Sequence, residues 1–286
     1  MSTDTDAPHS YGVIGFPVAH SRSPFIHAMF ARQTGQNISY RLIEAPPDAF
    51  ASTVAGFLAA GGRGLNVTLP HKQSAVASVD QLSERAEQAG AVNTIAVLAD
   101  GRTLGDITDG VGLVRDLQRI GLQLRDASIL VLGAGGAARG VLGALLEQQP
   151  ARIEVANRDP LRGARVAAAF KGLGDIRGGG FSSVERRVYD LVINATSASL
   201  QGVVPPIPAA VIGPETVCYD MAYAQGETIF TRWARGAGAA QAVKGWGMLV
   251  EQAAESFLLW RGVRPDTGPV LAALVSPPRR STLKAS

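Results

Sequence analysis

Cysteine is almost absent: Cys218 is the only one in 286 residues. That excludes an intrachain disulfide and any multi-cysteine metal site, and no other metal-ligand pattern is present. Cys218 lies in the apolar run Thr216-Val217-Cys218-Tyr219, where a buried strand residue is expected rather than a nucleophile. Charge is also sparse, at 18% of residues against 46% hydrophobic, the balance of a globular protein. No apolar run is long enough to span a membrane, so no membrane partner is expected. The opening MSTDTDAPHS is polar and acidic and lacks the basic and apolar regions of a signal peptide, which fits a cytoplasmic protein. A net charge of +3 and a pI near 9.2 could suggest nucleic acid, but the basic residues are scattered. The one dense cluster, Arg279, Arg280 and Lys284 beside Pro277-Pro278, reads as a solvated tail, so no nucleic-acid partner is expected. Internal repeats and extended low-complexity segments are missing.

What the chain does have is a glycine cluster in one decisive place. Residues 128–140 read SILVLGAGGAARG. The apolar run Ile129-Leu130-Val131-Leu132 meets Gly133, Gly135 and Gly136, and a small-residue helical pattern follows. Strand, tight turn and helix in this order let the backbone approach a pyrophosphate, and the helix N-terminus offers it free N–H groups. An ordinary strand-to-helix turn gives a similar pattern. The dinucleotide reading gains weight because a helical pattern and a second apolar strand follow at the right distance.

Around this module the periodicity predicts an α/β protein of two domains: an N-terminal α/β substrate domain and a Rossmann-type, doubly wound dinucleotide domain. Strands are expected at 11–15, 38–44, 64–68, 91–98 and 102–107, the last two forming a hairpin around Asp100-Gly101. Helices are expected at 23–34, 48–60 and 83–88, with Ser23 as N-cap before Pro24. A helix at 109–120 bridges to the second domain, whose strands are placed at 129–133, 152–157, 190–194, 216–220 and 239–243. The last long helix, 247–260, puts Leu249, Ala253, Phe257 and Trp260 on one face, available to pack on the first domain. The expected division is 1–107, 108–244, and 245–286 returning to the first domain, with cofactor and small substrate meeting in the cleft.

Several polar residues stand where composition alone would not place them. His20-Ser21-Arg22-Ser23 lies just beyond a strand end. Two hydroxyls at a helix N-terminus can bind a carboxylate together with backbone N–H groups, whereas capping accounts for Ser23 but not Ser21. Asn66 and Thr68 share one face of a strand end, because side chains alternate. Lys72 follows them, and by spacing alone it reads more readily as a solvated lysine than as a catalytic one. Asn93-Thr94 interrupts an apolar strand. Asp109 opens a helix, where N-capping is a sufficient account. Gln252 sits on a largely apolar helix face, where a buried amide needs a partner.

Taken in order, these residues fall within YGVIGFPVAHSRSPFIH, GLNVTLPHK, LSERAEQAGAVNT, GDITDG, GAGGAARG, NRDPLR, INATS, YDMAY and GMLVEQAA. On these motifs the chain resembles the bacterial shikimate dehydrogenases over about residues 11–270. Methylenetetrahydrofolate dehydrogenases and glutamyl-tRNA reductases share a GAGGAAR module, but not HSRSP, NVTLPHK and GMLVEQAA as well. The resemblance implies reversible NADPH-dependent reduction of 3-dehydroshikimate to shikimate, on the route to aromatic amino acids, by a monomer or homodimer. It implies that Lys72 and Asp109 form the catalytic pair. Ser21, Ser23 and Tyr223 would bind the substrate carboxylate, and Thr68, Asn93, Asp109 and Gln252 the ring hydroxyls, with Asn66 nearby. Gly133, Ala134, Gly135, Gly136 and Ala137 would cradle the pyrophosphate. Asn157, Arg158 and Arg162, with Asp159 beside them, would face the adenosine ribose and its phosphate. Thr196, Met221, Gly245 and Met248 would line the nicotinamide side, with Glu84 touching the cofactor. In chemical terms, hydride arriving at a carbonyl carbon leaves negative charge on oxygen, and a positioned proton donor such as Lys72 lowers that barrier.

The chain departs from the family pattern at a few positions. Asp159 stands where threonine usually follows Asn-Arg; Asp159-Pro160 is a good helix start, but a carboxylate there repels a 2′-phosphate. Ile107 replaces the asparagine of GDNTDG, Ser199 a glycine after NATS, and Lys244 and Trp246 an aspartate and a leucine around Gly245. Two other readings follow: a shikimate/quinate paralogue with relaxed NAD(P) use, and a ligand-binding paralogue without catalysis. Ser21 and Ser23 favour shikimate, and retention of Lys72 with Asp109 favours an enzyme.

Overall fold

A computed structural model describes residues 7–275. The first six residues of the polar N-terminus and the basic cluster at Arg279, Arg280 and Lys284 lie outside them, as does the end of the 245–286 segment. In chain order the elements are β1 (His9–Gly15), α1 (Ser23–Thr34), β2 (Ile38–Glu44), α2 (Phe50–Ala59), β3 (Gly62–Val67), β4 (Gln81–Leu82), α3 (Glu84–Ala89), β5 (Thr94–Val97), β6 (Thr103–Asp106) and α4 (Asp109–Arg119). There follow β7 (Ser128–Leu132), α5 (Gly136–Glu147), β8 (Arg152–Asn157), α6 (Pro160–Phe170), β9 (Ile176–Gly180), β10 (Leu191–Asn194), β11 (Val217–Asp220), α7 (Ile229–Gly236), β12 (Gln241–Lys244), α8 (Trp246–Arg261) and α9 (Gly268–Val275). No helix of the described residues is long and apolar enough to cross a membrane.

Two six-stranded sheets result. The first has the order β2-β1-β3-β5-β6-β4, with β5 antiparallel to both its neighbours and the other pairs parallel. The second, β12-β11-β10-β7-β8-β9, is wholly parallel. Counted from β7, this is the doubly wound order 3-2-1-4-5-6, whose switch point lies between β7 and β10. β7 reads SILVL and is buried at every position, as a central strand covered by helices on both faces requires. The α/β, two-sheet architecture agrees with the sequence reading.

Two strands were not anticipated. β4 is only two residues long. β9 reads IRGGG, a composition that argues against a strand. Its glycines serve a close approach: a Cβ on Gly178 would lie 2.2 Å from the Gly163 carbonyl oxygen of α6, so α6 seats on β9 only without side chains there.

The last long helix does turn back onto the first sheet. Trp260 stacks on Tyr11 at 4.7 Å, and its indole N–H donates to the Ile95 carbonyl (2.9 Å). A Cβ on Gly64 would lie 2.4 Å from Trp260 Nε1, which explains the glycine in β3. Phe257, Ala253 and Val250 are fully buried with Phe30 and Ile26 of α1; burial of each large apolar side chain stabilises by about 1.5–3 kcal/mol. α8 also packs along α4, so these two helices join the sheets.

His27 of α1 is wholly buried, stacked on Tyr40 at 4.3 Å. Burial holds its pKa down to about 3, against an ordinary 6.5. Its Nε2–H donates to Asn66 Oδ1 (3.2 Å), since that oxygen can only accept. Between pH 6.5 and 3 the unfolded chain binds a proton that the folded chain refuses. Stability from this group is therefore complete above about pH 6.5 and is lost as pH falls, with a slope approaching ~1.4 kcal/mol per pH unit. Denaturant unfolding of wild type and His27→Phe between pH 6.5 and 5 checks this; equal slopes in both proteins would contradict it.

Candidate functional site

A cavity of about 230 Å³ opens between the two sheets. One wall comes from the segments following β1 and β3: Ser21, Ser23, Thr68 and Lys72, with Asn66 at the end of β3. The other comes from segments following β10 and β11, Thr196, Met221 and Tyr223, closed by Gly245, Met248 and Gln252 at the start of α8. Asn93, Asp109 and Ala137 complete it. Fourteen of the residues singled out from sequence therefore meet in one place, and they come from both sheets.

Lys72 and Asp109 form a close ion pair, their side chains only 13% and 5% exposed. The reading of Lys72 as a solvated lysine is thereby overturned. The glycine turn closes over it: a Cβ on Gly136 would lie 3.0 Å from Lys72 Cβ. Asp109 is not an N-cap. Thr108 takes that position in α4 without a side-chain cap bond, and the Asp109 carboxylate instead accepts from Lys72 Nζ and Asn93 Nδ2 (2.9 Å). Asn93 is a junction. Its Oδ1 accepts from Thr108 N (2.8 Å), and its Nδ2 also approaches Gln252 Oε1 (3.2 Å). That is the partner expected for the Gln252 amide, which is half-buried at the cavity; its Nε2 donates to the Leu249 carbonyl (2.8 Å).

Ser23 is likewise not the cap of α1. Arg22 occupies the N-cap position without a side-chain bond, and Ser23 is the first helical residue. Ser21 Oγ donates to Ser23 Oγ (3.2 Å) and accepts from Ser23 N (3.3 Å), so both hydroxyls stand together at the cavity wall. Tyr223 faces the same cavity. Burial raises its phenol pKa, and the Arg22 charge opposes that. Asn66 is tied into the scaffold: its Oδ1 accepts from Tyr40 Oη (2.7 Å) and His27, and its Nδ2 donates to Ser256 Oγ (2.9 Å).

The second sheet supplies a cradle. Gly133 has φ +110°, and a Cβ there would lie 3.0 Å from the Ala195 carbonyl oxygen; only glycine suits that turn. At Gly135, the N-cap of α5, a Cβ would meet nothing within 4 Å, leaving an open approach to the helix N-terminus. Ala134 follows Gly133 in the turn. Beyond β8, Arg158, Asp159 and Arg162 are exposed. Asp159 does cap α6, accepting from Leu161 N (3.0 Å) and Arg162 N (3.3 Å), while Asn157 Nδ2 donates to its carbonyl (3.1 Å). Arg162 Nε donates to the Ala134 carbonyl (3.2 Å), which places it over the glycine turn. Glu84 is exposed on the first turn of α3, outside the cavity.

The positions that depart from the family pattern have physical partners. Ile107 is buried against α5, where a Cβ on Gly140 would come within 3.0 Å of it. Ser199 Oγ donates to Asp220 Oδ2 (2.6 Å). Lys244 and Trp246 bind the backbone at Ala224. Cys218 is buried in β11, its thiol pushed up to about 12 by burial, the inert strand residue expected. Sequence reasoning did not single out Ser256, which joins Asn66 and Thr94 (2.9 and 2.7 Å) one helical turn beyond Gln252. Its spacing from Gln252 on the same helix was the available signal.

Family models match three segments: the shikimate dehydrogenase substrate binding domain at residues 13–95, shikimate/quinate 5-dehydrogenase at 116–204, and the shikimate 5′-dehydrogenase C-terminal domain at 245–275. The shikimate dehydrogenase (NADP(+)) of Methylococcus capsulatus is 50% identical to the chain over 268 residues, covering 93% of the chain and 96% of that protein. The chain belongs to the shikimate dehydrogenase family. Its relatives include solved structures. That of the Thermus thermophilus shikimate 5-dehydrogenase, in complex with NADP(H) and shikimate, superposes with a TM-score of 0.81 at 34% identity, covering 93% of the chain and 98% of that protein. An Ael1 enzyme from Pseudomonas putida gives 0.85 at 42% identity, with coverage of 94% and 99%. The matched segments hold part of each cavity wall: 13–95 holds Ser21 through Asn93, 116–204 holds Thr196, and 245–275 holds Gly245, Met248 and Gln252.

Proposed function

We propose that this protein is an NADP-dependent shikimate dehydrogenase, reversibly reducing 3-dehydroshikimate to shikimate in the cytoplasmic route to aromatic amino acids. The observation that carries the proposal is the buried Lys72–Asp109 pair in a cavity shared by the two sheets. Of the described residues, those up to 107 act as the substrate domain, 108–244 as the cofactor domain, and those from 245 as the return to the first. The open face at Gly135, the N-terminus of α5 and exposed Arg158 and Arg162 fit a dinucleotide carrying a 2′-phosphate. Gly133 through Ala137 hold its pyrophosphate, and Thr196, Met221, Gly245 and Met248 wall its nicotinamide.

Bound NADPH supplies the hydride for the substrate carbonyl carbon. Lys72 donates a proton to the oxygen on which charge accumulates, and its positive charge stabilises that oxygen beforehand. Asp109 fixes the direction of Lys72, and Asn93 fixes Asp109 (2.9 Å). Ser21, Ser23 and Tyr223 orient the carboxylate; Thr68, Asn93, Asp109 and Gln252 read the ring hydroxyls. Neither Lys72 nor Asp109 is required in this pairing for a protein that only binds, which favours an enzyme. The test follows NADPH absorbance with shikimate and then quinate. Rapid NADP-linked oxidation of shikimate is expected; no oxidation of shikimate, or a preference for quinate, would overturn the assignment.

A further inference from the structure

The segment 221–228 carries Tyr223 into the cavity, yet it forms neither helix nor strand. It is tied to three consecutive residues of the β12–α8 junction. Gly245 N donates to the Ala222 carbonyl (3.1 Å). Lys244 Nζ donates to the carbonyls of Ala224 (3.1 Å) and Gly226 (2.9 Å). The Trp246 indole N–H donates to the same Ala224 carbonyl (3.1 Å), and its ring lies 4.9 Å from that of Tyr223. Gly245 itself admits no side chain, since a Cβ would lie 2.4 Å from the Met221 carbonyl oxygen. Neither Lys244 nor Trp246 lines the cavity.

We propose that Lys244 and Trp246 are positioning residues that clamp the 224–226 backbone and hold Tyr223 at the carboxylate end of the substrate site. An ammonium shared between two carbonyls is a charge-assisted pair of bonds, stronger than neutral ones. Trp246 is buried, stands outside the cavity lining, and packs its ring against the phenol. The clamp acts on substrate affinity through Tyr223. It leaves proton donation by Lys72 untouched, because Lys72 sits on the opposite wall. This inference rests on the proposed shikimate activity for its substrate.

The test uses the full chain with Lys244→Met, the conservative Lys244→Arg, and both combined with Tyr223→Phe. Lys244→Met is expected to raise the KM for shikimate about tenfold, the effect of losing a charged hydrogen bond, with kcat within about threefold and the KM for NADP unchanged. Lys244→Arg restores the KM. In the Tyr223→Phe background, Lys244→Met changes the KM by less than about twofold, because the two act through one contact. Hydrogen exchange of residues 222–227 speeds up in Lys244→Met without any substrate present. An unchanged KM, an additive effect with Tyr223→Phe, or unchanged exchange would each overturn the clamp. A wild-type protein that fails to oxidise shikimate would refute the activity instead, and the exchange measurement would still decide whether the clamp exists.

Discussion

A Lys72→Ala variant is expected to lose shikimate turnover by about 10²–10⁴-fold, the usual scale for removing a positioned proton donor, while its affinity for NADPH stays near that of the wild type. The separation follows from location. Lys72 lies on the wall formed by the first sheet and meets the glycine turn with its aliphatic stem, Cβ at 3.0 Å and Cδ at 3.8 Å from where a Gly136 Cβ would be. Its charged end points to Asp109. Asp109→Asn is expected to behave differently. It keeps a polar group beside Asn93 but removes the negative partner that directs Lys72, so turnover falls less than in Lys72→Ala. Steady-state kinetics with shikimate, alongside a fluorescence titration of NADPH, reads both quantities. Near-wild-type turnover in Lys72→Ala would remove Lys72 from its assigned role.

The second large effect concerns the cofactor. The double variant Arg158→Ala/Arg162→Ala is expected to lose about 10²-fold or more in kcat/KM with NADPH, at about 1.5–3 kcal/mol for each charged hydrogen bond, and to change little with NADH. Arg158 is exposed beyond β8, and Arg162 reaches back over the glycine turn to the Ala134 carbonyl (3.2 Å). Asp159 works against them. It caps α6 through Leu161 N and Arg162 N, so a negative charge is fixed at the start of the helix that carries Arg162. Asp159→Ser preserves a capping oxygen and removes that charge, and should raise the NADPH preference a few-fold. Equal losses with both cofactors in the double variant would show that the arginines do not read the 2′-phosphate.

How much of this could be read from residues alone depends on how local each determinant is. The turn of residues 128–140 was legible, because its glycines, apolar strand and helix all lie within one short window. Asp159 was legible as a cap for the same reason. Ser23 and Asp109 were misread as caps, since local rules see a polar residue at a helix start and nothing else. What decides Asp109 is Asn93, sixteen residues away, and Lys72, thirty-seven away. Gln252 announced that it needed a partner but could not name it, because Asn93 is 159 residues distant in sequence. The exposure of Lys72 depended on the second sheet folding over the first, which no periodicity within residues 64–72 encodes. β9 stayed hidden because its glycines are chosen for the approach of α6 rather than for strand propensity.

α8 carries Met248, Gln252 and Ser256 at successive four-residue intervals, about 6 Å apart along the axis. Met248 and Gln252 line the cavity, Gln252 is bonded to Asn93, and Ser256 is anchored to Asn66 and Thr94. With the ligands placed as proposed, Met248 against the cofactor and Gln252 against the substrate, one rod serves as the common gauge for both. Any tilt that one ligand imposes on it is registered by the other, and thermodynamic reciprocity makes the resulting factor in affinity the same from either direction.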